Sequence, residues 1–529
     1  MVGVCAELPG TIDTRSSIVS RENRWYSGPA LVLYIAALKF VVQLAAAGRY
    51  GYHVEELYYL AGAEHLDWGY IDHPPLIDLI AFVVRHSLGE SLFAIRLVPA
   101  LAGALQVYLV GAIARNVGGD RFAQSLAAIA VLVSPVYLMM EHYLHLAAFE
   151  PVIWAGLAYL VLRAIQTNDK KYWFCAGLVA GVGLENKYTI AVFIVGLLVG
   201  LLWGHARQTF LVADFWTAGV LAFLVFLPNL LWQIRHGYAF LEWQETIRPR
   251  NLRTSYLGFM RDQLTYTLPV VFLWIAGLWF FLATRRGKPY RFLGFGVLFV
   301  LVTFEVLHGK SYYPTPAYGV AFAGGAVVIE NITEGLNWRW ARIALVIAIA
   351  GIGAAMAPCF LPILPIDRVA IYQKALPVAS LLPIRTEPYH FETDLPPEFA
   401  WEFGWDEIVS AVSQLYNAIP NYQKSRVGIL AGSYGPAGAI DLMGSKYGLP
   451  KAMCPQLAYG DWGTHNFRGD TLIIVGNPDG YRAACVFFRP GPLIMNPYGY
   501  DKQRGPIVNL CGGGMASVLT PQWENLRHY

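Results

Sequence analysis

Charged residues are scarce in this chain of 529 residues. They make up 14% of it, whereas hydrophobic residues make up 56% and the mean hydropathy is +0.43. Soluble proteins usually contain about 25% charged residues. The composition therefore excludes an ordinary soluble protein and predicts a protein of the lipid bilayer. The net charge of +3 is also too small to favour nucleic acid as a partner.

Cysteine is scarce as well, and its six positions include no CxxC pair or other metal-ligand spacing. Cys5, Cys175 and Cys359 are expected to be free thiols. One disulfide is possible near the C-terminus if that region lies outside the cytoplasm, and Cys485 with Cys511 is the pair that we expect.

The sequence also lacks the pattern of a cleaved signal peptide. Residues 1–28 are polar and contain three arginines, and the first apolar run comes too late and is too long. We expect residues 1–28 to form a cytosolic leader, followed by a membrane helix that is retained.

Eleven apolar segments predict membrane-spanning helices, several of them shorter than the roughly 20 residues of an isolated span. They are 29–47, 92–114, 122–140, 150–166, 172–186, 188–204, 212–232, 264–284, 291–307, 315–331 and 341–360. Beyond them, prolines and charges become frequent and apolar runs shorten to strand length. The predicted fold class is a polytopic α-helical membrane protein, with a membrane domain at 29–362 and a soluble α/β domain at 363–529.

Lysine and arginine set the predicted orientation, because they are enriched in cytoplasmic loops. Placing the N-terminus inside puts eleven of these residues into mostly short inner loops and three into the leader, against nine spread over much longer outer loops. Eleven spans then place residues 363–529 outside, together with the loops 48–91 and 233–262. A miscount by one span would reverse the side of the C-terminal domain.

The first outer loop, 48–91, concentrates acidic and aromatic residues. Its centre reads HVEELYYLAGAEHLDWGYIDHPPL and holds five carboxylates and three histidines beside two apolar runs. Acidic residues next to a bilayer are costly and usually mark function. Glu55 and Glu56 begin a helical pattern, where the helix dipole alone would favour them. At about 100° per residue only one of them can face a site, and Tyr59 would share the face of Glu55.

Further polar residues fall on the same predicted side. The two prolines after His73 predict a stiff extended corner that fixes the direction of Asp72, although such a turn needs no function. Glu150 could simply start an apolar helix. Lys187 and Lys310 could reach for the membrane interface, or could bind an anionic phosphate.

These motifs resemble the GT-C superfamily of membrane glycosyltransferases. The similarity is to dolichyl-phosphate-mannose protein mannosyltransferases and to bacterial glycosyltransferase family 39, which includes the lipid A aminoarabinose transferases. The first loop carries it most specifically, with EELYY at 55–59 and GYIDHPPL at 69–76. Further matching segments are AFEPVIW at 148–154, GLENKYT at 183–189, LPNLLWQIRHG at 227–237, GKSYYPTPAY at 309–318, FGWDEIV at 403–409, GSYGPAGAI at 432–440 and YGLP at 447–450.

The resemblance implies that a sugar moves from a polyprenyl-phosphate donor to a lipid, glycan or protein acceptor on the outer face, with inversion of the anomeric carbon. Such chemistry needs a base for the acceptor hydroxyl and cations for the leaving phosphate. Glu55 corresponds to the base, which is usually aspartate in the family, so Glu56 stays a second candidate. Asp72 is the third catalytic carboxylate that the resemblance implies.

The resemblance also implies binding roles for further residues. Those expected at the donor phosphate are Lys187, Lys310, Tyr312 and Tyr313, and those expected at the acceptor or sugar are Tyr59, Tyr70, His73 and Glu150. No cofactor and no metal are expected, although a divalent ion beside the first-loop carboxylates is possible. The expected partners are the polyprenyl-phosphate sugar, the bilayer and an envelope acceptor, without nucleic acid. The expected location is the bacterial inner (plasma) membrane.

Two other classes of function stay open, namely an inactive membrane scaffold or lipid-binding relative and a lipid-linked sugar transporter. In the C-terminal domain, segments 426–431 and 470–476 predict strands. The glycines at 432, 435 and 438 do not have the spacing of a dinucleotide fingerprint. They predict a structural strand-to-helix turn in a domain that binds acceptor or covers the active cavity.

Overall fold

The computed structural model describes residues 24–204, 206–252, 255–334, 339–376, 395–492, 494, 496, 498 and 508–528. The predicted leader therefore lies almost wholly outside the described residues, as does Cys5. The helices of the first part of the chain are α1 (Gly28–Ala46), α2 (Val54–Gly62), α3 (Leu76–Ser87), α4 (Leu92–Asn116), α5 (Arg121–Val133), α6 (Pro135–Met140), α7 (Leu146–Thr167), α8 (Lys170–Asn186), α9 (Ile190–Trp203), α10 (Ala213–Arg235), α11 (Ala239–Asn251), α12 (Tyr256–Tyr266), α13 (Val271–Ala283), α14 (Arg291–Val306), α15 (Tyr318–Glu334), α16 (Arg339–Met356) and α17 (Ile366–Ala375).

In the described residues of the C-terminal part, short helices alternate with five strands. Its elements are α18 (Pro397–Ala400), α19 (Trp405–Asn417), α20 (Asn421–Lys424), β1 (Val427–Ala431), α21 (Tyr434–Met443), β2 (Ala452–Met453), α22 (Ala458–Trp462), β3 (Thr471–Val475), α23 (Asp479–Arg482), β4 (Phe487–Pro490), β5 (Val508–Gly512) and α24 (Met515–Leu526).

Each of the eleven apolar segments contains a helix, but two of them are interrupted. The segment 122–140 breaks at Ser134, where Pro135 disfavours helical geometry in the residue before it, and so gives α5 and α6. The segment 264–284 is divided between α12 and α13, which are bent by 104° at their break. The expected outer loop 233–262 is also wrong as a loop, because it is largely the helices α11 and α12.

Six of the described helices are long and apolar enough to cross a membrane, and a seventh results if α12 and α13 form one span. The six are α1, α4, α7, α10, α14 with the turn before it, and α16 with the turn after it. Helices such as α5, α8, α9 and α15 have only 13 to 17 residues. The chain is thus a multi-pass helical membrane protein, while the count of eleven stays a prediction.

The short helices are packed inside the bundle through glycines. A Cβ atom on Gly277 of α13 would lie 1.8 Å from the carbonyl oxygen of Ala321 on α15. A Cβ on Gly325 of α15 would lie 1.9 Å from the carbonyl oxygen of Leu273. Only glycine therefore allows these two helix backbones to approach so closely, as is common in membrane bundles.

The C-terminal strands form one mixed sheet of order β2-β1-β3-β5-β4. Strands β2, β1 and β3 are parallel, whereas β5 is antiparallel to both β3 and β4. The two predicted strands are confirmed as β1 and β3. The predicted disulfide is also confirmed, since Cys485 is bonded to Cys511 of β5. The domain division at residues 362 and 363 stays a prediction.

The α/β region is docked on the first outer loop. Helix α21 packs on α2, and a Cβ on Gly438 would lie 2.7 Å from the carbonyl oxygen of Leu57. The backbone N–H of Val54 donates to the carbonyl of Trp401 at 3.2 Å, and the indole N–H of Trp405 donates to the carbonyl of Tyr52 at 2.9 Å. The three glycines of the GSYGPAGAI segment thus belong to a strand-to-helix turn and its packing, as predicted.

Candidate active site

A cavity of about 210 Å³ lies where the first outer loop, α11, the segment after α14 and the α/β region meet. Its polar lining comes from both parts of the chain. The polar and aromatic residues of the lining are His53, Glu55, Asp72, Tyr143, His145, Trp243, Asn251, Lys310, Tyr312, Glu398, Trp401, Trp405, Ser433, Tyr434 and Gln456. Carboxylates and a lysine therefore share one enclosed space.

Helix α2 directs Glu55 into this cavity and Glu56 away from it, as the helical spacing predicts. His53 caps the helix, because its Nδ1 accepts from the backbone N–H of Glu55 at 3.3 Å. Glu55 lines the cavity, and its Oε1 accepts a hydrogen bond from the hydroxyl of Tyr434 at 3.3 Å. A residue of the α/β region thus contacts the candidate base directly.

Glu56 is fully buried, and both of its carboxylate oxygens accept hydrogen bonds. Its Oε1 accepts from Arg96 Nε at 2.9 Å and from the backbone N–H of Leu144 at 3.0 Å. Its Oε2 accepts from Arg96 Nη2 and from the backbone N–H of His53, both at 2.8 Å. Arg96 also binds Glu402 at 3.1 Å, so this cluster ties α2, α4 and the α/β region together. With four donors on its two oxygens, Glu56 has little capacity to accept a substrate proton.

The cavity shifts the titration of Glu55. Burial raises the pKa of this carboxyl above its usual range, and the negative charge of Asp72 acts in the same direction. His53, the positive charge of Lys310 and a hydrogen bond from Tyr59 oppose the rise in pKa without cancelling it. A raised pKa makes a carboxylate a stronger proton acceptor near neutral pH.

Asp72 lines the same cavity as Glu55 and is held by one hydrogen bond and one ion pair. The hydroxyl of Tyr58 donates to its Oδ1 at 2.9 Å, and His73 Nδ1 lies 3.1 Å from the same oxygen. His73 Nε2 lies 2.7 Å from Asp78 Oδ2. Burial alone would lower the pKa of His73, but the two aspartates outweigh it and raise this pKa to about 10. His73 is therefore charged and orients Asp72.

The three expected sugar-binding residues of the first loop lie behind the cavity rather than on its wall. Tyr59, Tyr70 and His73 are each no more than 3% exposed. Tyr70 stacks on His73 with ring centroids 4.8 Å apart, and Tyr59 meets the same ring edge-on at 5.3 Å. These three rings form an aromatic layer that packs behind the cavity wall.

The expected phosphate-binding residues divide into two groups. Lys310 and Tyr312 line the cavity. Lys187 lies next to it, where Nζ donates to Glu150 Oε2 at 2.7 Å and sits over the rings of Tyr312 at 4.8 Å and Tyr313 at 4.6 Å. Glu150, expected at the acceptor, is thus the ion-pair partner of Lys187 and accepts from Thr189 as well.

Sequence reasoning assigned no role to several residues that shape this site. Tyr434 and Glu398 lie in the cavity wall, and the hydroxyl of Tyr143 donates to Glu398 at 3.2 Å. Arg96 and Glu402 hold the buried cluster around Glu56. Two of these five, Tyr434 and Glu402, adjoin or lie in segments that match the family, but a contact between positions 55 and 434 has no local signal in the sequence.

Within the described ranges, no three or more His, Cys, Asp or Glu side chains are grouped so that they could hold a metal ion. The arrangement offers instead a carboxylate with a raised pKa, an oriented aspartate and a lysine. These groups can accept a proton and compensate the charge of a phosphate.

Known proteins share this fold and parts of this sequence. The family model described as dolichyl-phosphate-mannose-protein mannosyltransferase matches residues 72–232. A lipid A galacturonosyltransferase, RgtD of Rhizobium johnstonii, is 27% identical over 327 residues. That match covers 58% of this chain and 65% of the relative, so the chain spans just under two thirds of its length.

Three solved structures, of two proteins, have the same fold. ArnT from Cupriavidus metallidurans in the apo state has a TM-score of 0.58 at 14% identity, with 91% of this chain and 97% of that chain covered. The same protein bound to undecaprenyl phosphate has a TM-score of 0.55. The archaeal oligosaccharyltransferase AglB from Archaeoglobus fulgidus, in complex with an inhibitory peptide and a dolichol-phosphate, has a TM-score of 0.50 at 13% identity and covers 85% of this chain and 69% of its own. The solved structures show that the chain shares the fold of ArnT, and the family match and the curated relative show that parts of its sequence are similar to membrane glycosyltransferases.

Proposed function

We propose that this protein transfers a sugar from a polyprenyl-phosphate donor to an acceptor hydroxyl on the outer face of a bacterial inner membrane, with inversion of the anomeric carbon. The observation that carries the proposal is the shared cavity, in which Glu55 and Asp72 lie with Lys310 and Tyr312. The solved relative that binds undecaprenyl phosphate supports a donor of this class.

Glu55 is the base in this proposal. Its carboxylate takes the proton from the acceptor hydroxyl while the acceptor oxygen attacks the anomeric carbon from the face opposite the phosphate. The bond between that carbon and the phosphate oxygen breaks, and polyprenyl phosphate leaves with the electron pair. Burial raises the pKa of Glu55 and thereby strengthens it as a base. Asp72, oriented by charged His73, is placed to hold the sugar or acceptor.

The cationic side of the site serves the leaving group. Phosphate leaves as an anion, so it needs positive charge rather than an acid. Lys310 supplies that charge at the cavity wall, beside Tyr312. Lys187 supports this side from behind, since its ammonium rests on the rings of Tyr312 and Tyr313 and is balanced by Glu150.

The acceptor is proposed to be an envelope lipid, glycan or protein. The curated relative is named for lipid A, so a lipid A glycolipid is the first acceptor to supply. The matching family and the curated relative are both described as transferases, not as scaffolds or transporters. These two alternatives are therefore not favoured.

The proposal can be tested with the full chain reconstituted in liposomes. Undecaprenyl-phosphate sugars carrying radiolabelled galacturonic acid, aminoarabinose, mannose or galactose would be supplied with lipid A, and label transferred to lipid A would be counted. We expect transfer from one donor, and a product whose anomeric configuration by NMR is opposite to that of the donor. Retention of configuration would contradict the mechanism, and label that crosses the bilayer without being transferred would identify a transporter.

A further inference from the structure

A second cavity, of about 430 Å³, lies in the α/β region at the carboxyl ends of two parallel strands. Gly432 and Ser433 follow β1 in its wall, and Gly476 and Asn477 follow β3. The two strand ends are adjacent, because the backbone N–H of Gly432 donates to the carbonyl of Val475 at 2.8 Å. Gly476 has a φ of +116°, a conformation that side chains rarely adopt, so this edge stays open.

The chain leaves these two strand ends toward opposite faces of the sheet. After β1 it enters α21, whose Ala437 and Ile440 belong to the core shared with the first outer loop. After β3 it enters α23, whose Tyr481 packs on the other face with Leu472 and Ile474. Such a divergence between neighbouring parallel strands opens a crevice, and α/β proteins bind ligands in crevices of this kind.

The lining of this second cavity is aromatic and neutral. Phe403, Trp405 and Tyr481 contribute rings, whereas Asn477 and His528 contribute polar groups. None of its lining residues within the described ranges is Asp, Glu, Lys or Arg. A charged ligand would find no opposite charge among them, and an uncompensated charge is costly to bury. Rings combined with a few neutral hydrogen-bonding groups suit the C–H faces and hydroxyl groups of an uncharged sugar.

The polar groups are held in fixed positions. The Oδ1 of Asn477 accepts from the backbone N–H of Asp479 at 3.0 Å, while the side chain of Asn477 is exposed. The backbone of His528 is paired with that of Gln456, and its Nδ1 lies 3.0 Å from the carbonyl of Leu526. The amide Nδ2 of Asn477 and the Nε2 of His528 are therefore two of the polar groups that a sugar would meet, together with Ser433 and Asn496.

The second cavity adjoins the first. Trp405, Ser433 and Pro436 line both of them. The next residue after Ser433 is Tyr434, which contacts Glu55. The strand-to-helix turn at Ser433 and Tyr434 would thus separate a ligand in the second cavity from Glu55, the candidate base.

We propose that the second cavity binds an uncharged saccharide unit of the acceptor, next to the cavity in which transfer takes place. The assignment to the acceptor rests on the proposed function, whereas saccharide binding itself does not require turnover. The α/β region would then select acceptors by a sugar that is not itself modified.

Direct binding tests this inference without relying on catalysis. The full chain carrying Glu55→Gln, in lipid nanodiscs, would be titrated with neutral glucosyl, galactosyl, mannosyl and N-acetylglucosaminyl oligosaccharides and observed by saturation-transfer NMR. We expect at least one of these to bind, with affinity about tenfold weaker after Asn477→Leu and after His528→Ala. The matched control is Gln522→Leu, which makes the same kind of change at an exposed amide on α24 that does not line the cavity, and it should leave affinity unchanged.

Two outcomes would overturn the inference, namely binding of none of the oligosaccharides and equal binding by all variants. Tighter binding of a sugar phosphate or a uronic acid, each titrated in the same way, would show that the neutral lining is not the basis of recognition. Melting temperatures equal to that of the parent protein would show that the variants fold. If Asn477→Leu does not fold, His528→Ala still tests the inference. Failure of transfer in the liposome assay, with saccharide binding intact, would instead contradict the proposed function.

Discussion

At the scale of single residues, Glu55 and Glu56 are neighbours in sequence with different surroundings. Glu55 lines the cavity and contacts Tyr434, whereas Glu56 is buried with Arg96. The difference follows from helical geometry, since consecutive positions point about 100° apart. Substitution of the two residues should therefore affect different properties of the protein.

Glu56→Gln is expected to destabilise the fold. The change leaves Arg96 without its main anionic partner in a buried site, and breaking a buried ion pair in this way typically costs about 3–5 kcal/mol. A thermal melt in detergent should show a clearly lower Tm. Glu64→Gln is the control, because Glu64 pairs with Arg85 and Lys451 in a partly exposed position and such pairs contribute about 0–1 kcal/mol. Equal melting temperatures would show that Glu56 is not a structural anchor.

As the pH is lowered, transfer should be lost at a higher pH than it would be if the base were a glutamate with the usual pKa. The base must be ionised, and burial raises the pKa of Glu55, so transfer is lost as the pH falls through that raised value. Tyr434→Phe removes a donor that stabilises the charged carboxylate. The acid limb of kcat/KM should therefore move to a still higher pH in Tyr434→Phe, and a limb that does not move would contradict the contact.

The sequence predicted part of the site. The first outer loop could be recognised because its acidic and aromatic residues interrupt apolar runs, and helical spacing separated Glu55 from Glu56. The contacts of Tyr434 with Glu55 and of Glu402 with Arg96 span more than 300 positions. The periodicity of apolar residues predicts only which residues share a face of one helix or strand. It therefore could not predict contacts between residues so far apart in sequence. Predicted roles for Lys187 and Glu150 likewise gave no sign that the two side chains pair.

At the scale of elements, the close packing of α21 on α2 joins the α/β region to the site. Gly438→Ala would place a Cβ 2.7 Å from the carbonyl oxygen and 2.9 Å from the carbonyl carbon of Leu57. The helices must then separate, and forced overpacking typically costs about 1–3 kcal/mol. We expect a lower Tm together with weaker transfer, because Tyr434 on α21 moves away from Glu55.

Gly219→Ala on α10 is the matched control for this change. A Cβ there meets nothing within 4 Å, so the same substitution should leave both Tm and transfer unchanged. Normal transfer by Gly438→Ala would show that the position of α21 does not matter for the site. The sequence predicted a helix in each apolar segment and the strands β1 and β3, but it missed the other three described strands and the helices α11 and α12. It also treated 264–284 and 122–140 as continuous spans, because an apolar run carries little information about where its helix bends.

At the scale of the whole molecule, the orientation in the membrane is the open prediction. Only six or seven of the described helices are long enough to span by themselves, so the odd count of eleven depends on short helices inside the bundle. The bonded pair Cys485 and Cys511 favours an oxidising compartment for the α/β region. Alkaline phosphatase fused after residue 529 should be active and a green fluorescent protein fused there should be dark in bacteria. The reverse pattern would place the region in the cytosol.

The central claim is that Glu55 is the base of a sugar transfer from a lipid-linked donor. The most direct measurement is the single-turnover rate of transfer by wild type, Glu55→Gln and the control Glu334→Gln, whose glutamate is exposed at the end of α15, each preloaded with radiolabelled donor. We predict that Glu55→Gln binds donor normally and transfers about 10²- to 10⁴-fold more slowly, the usual contribution of a positioned base, while Glu334→Gln matches wild type. Transfer by Glu55→Gln at the wild-type rate would contradict the account.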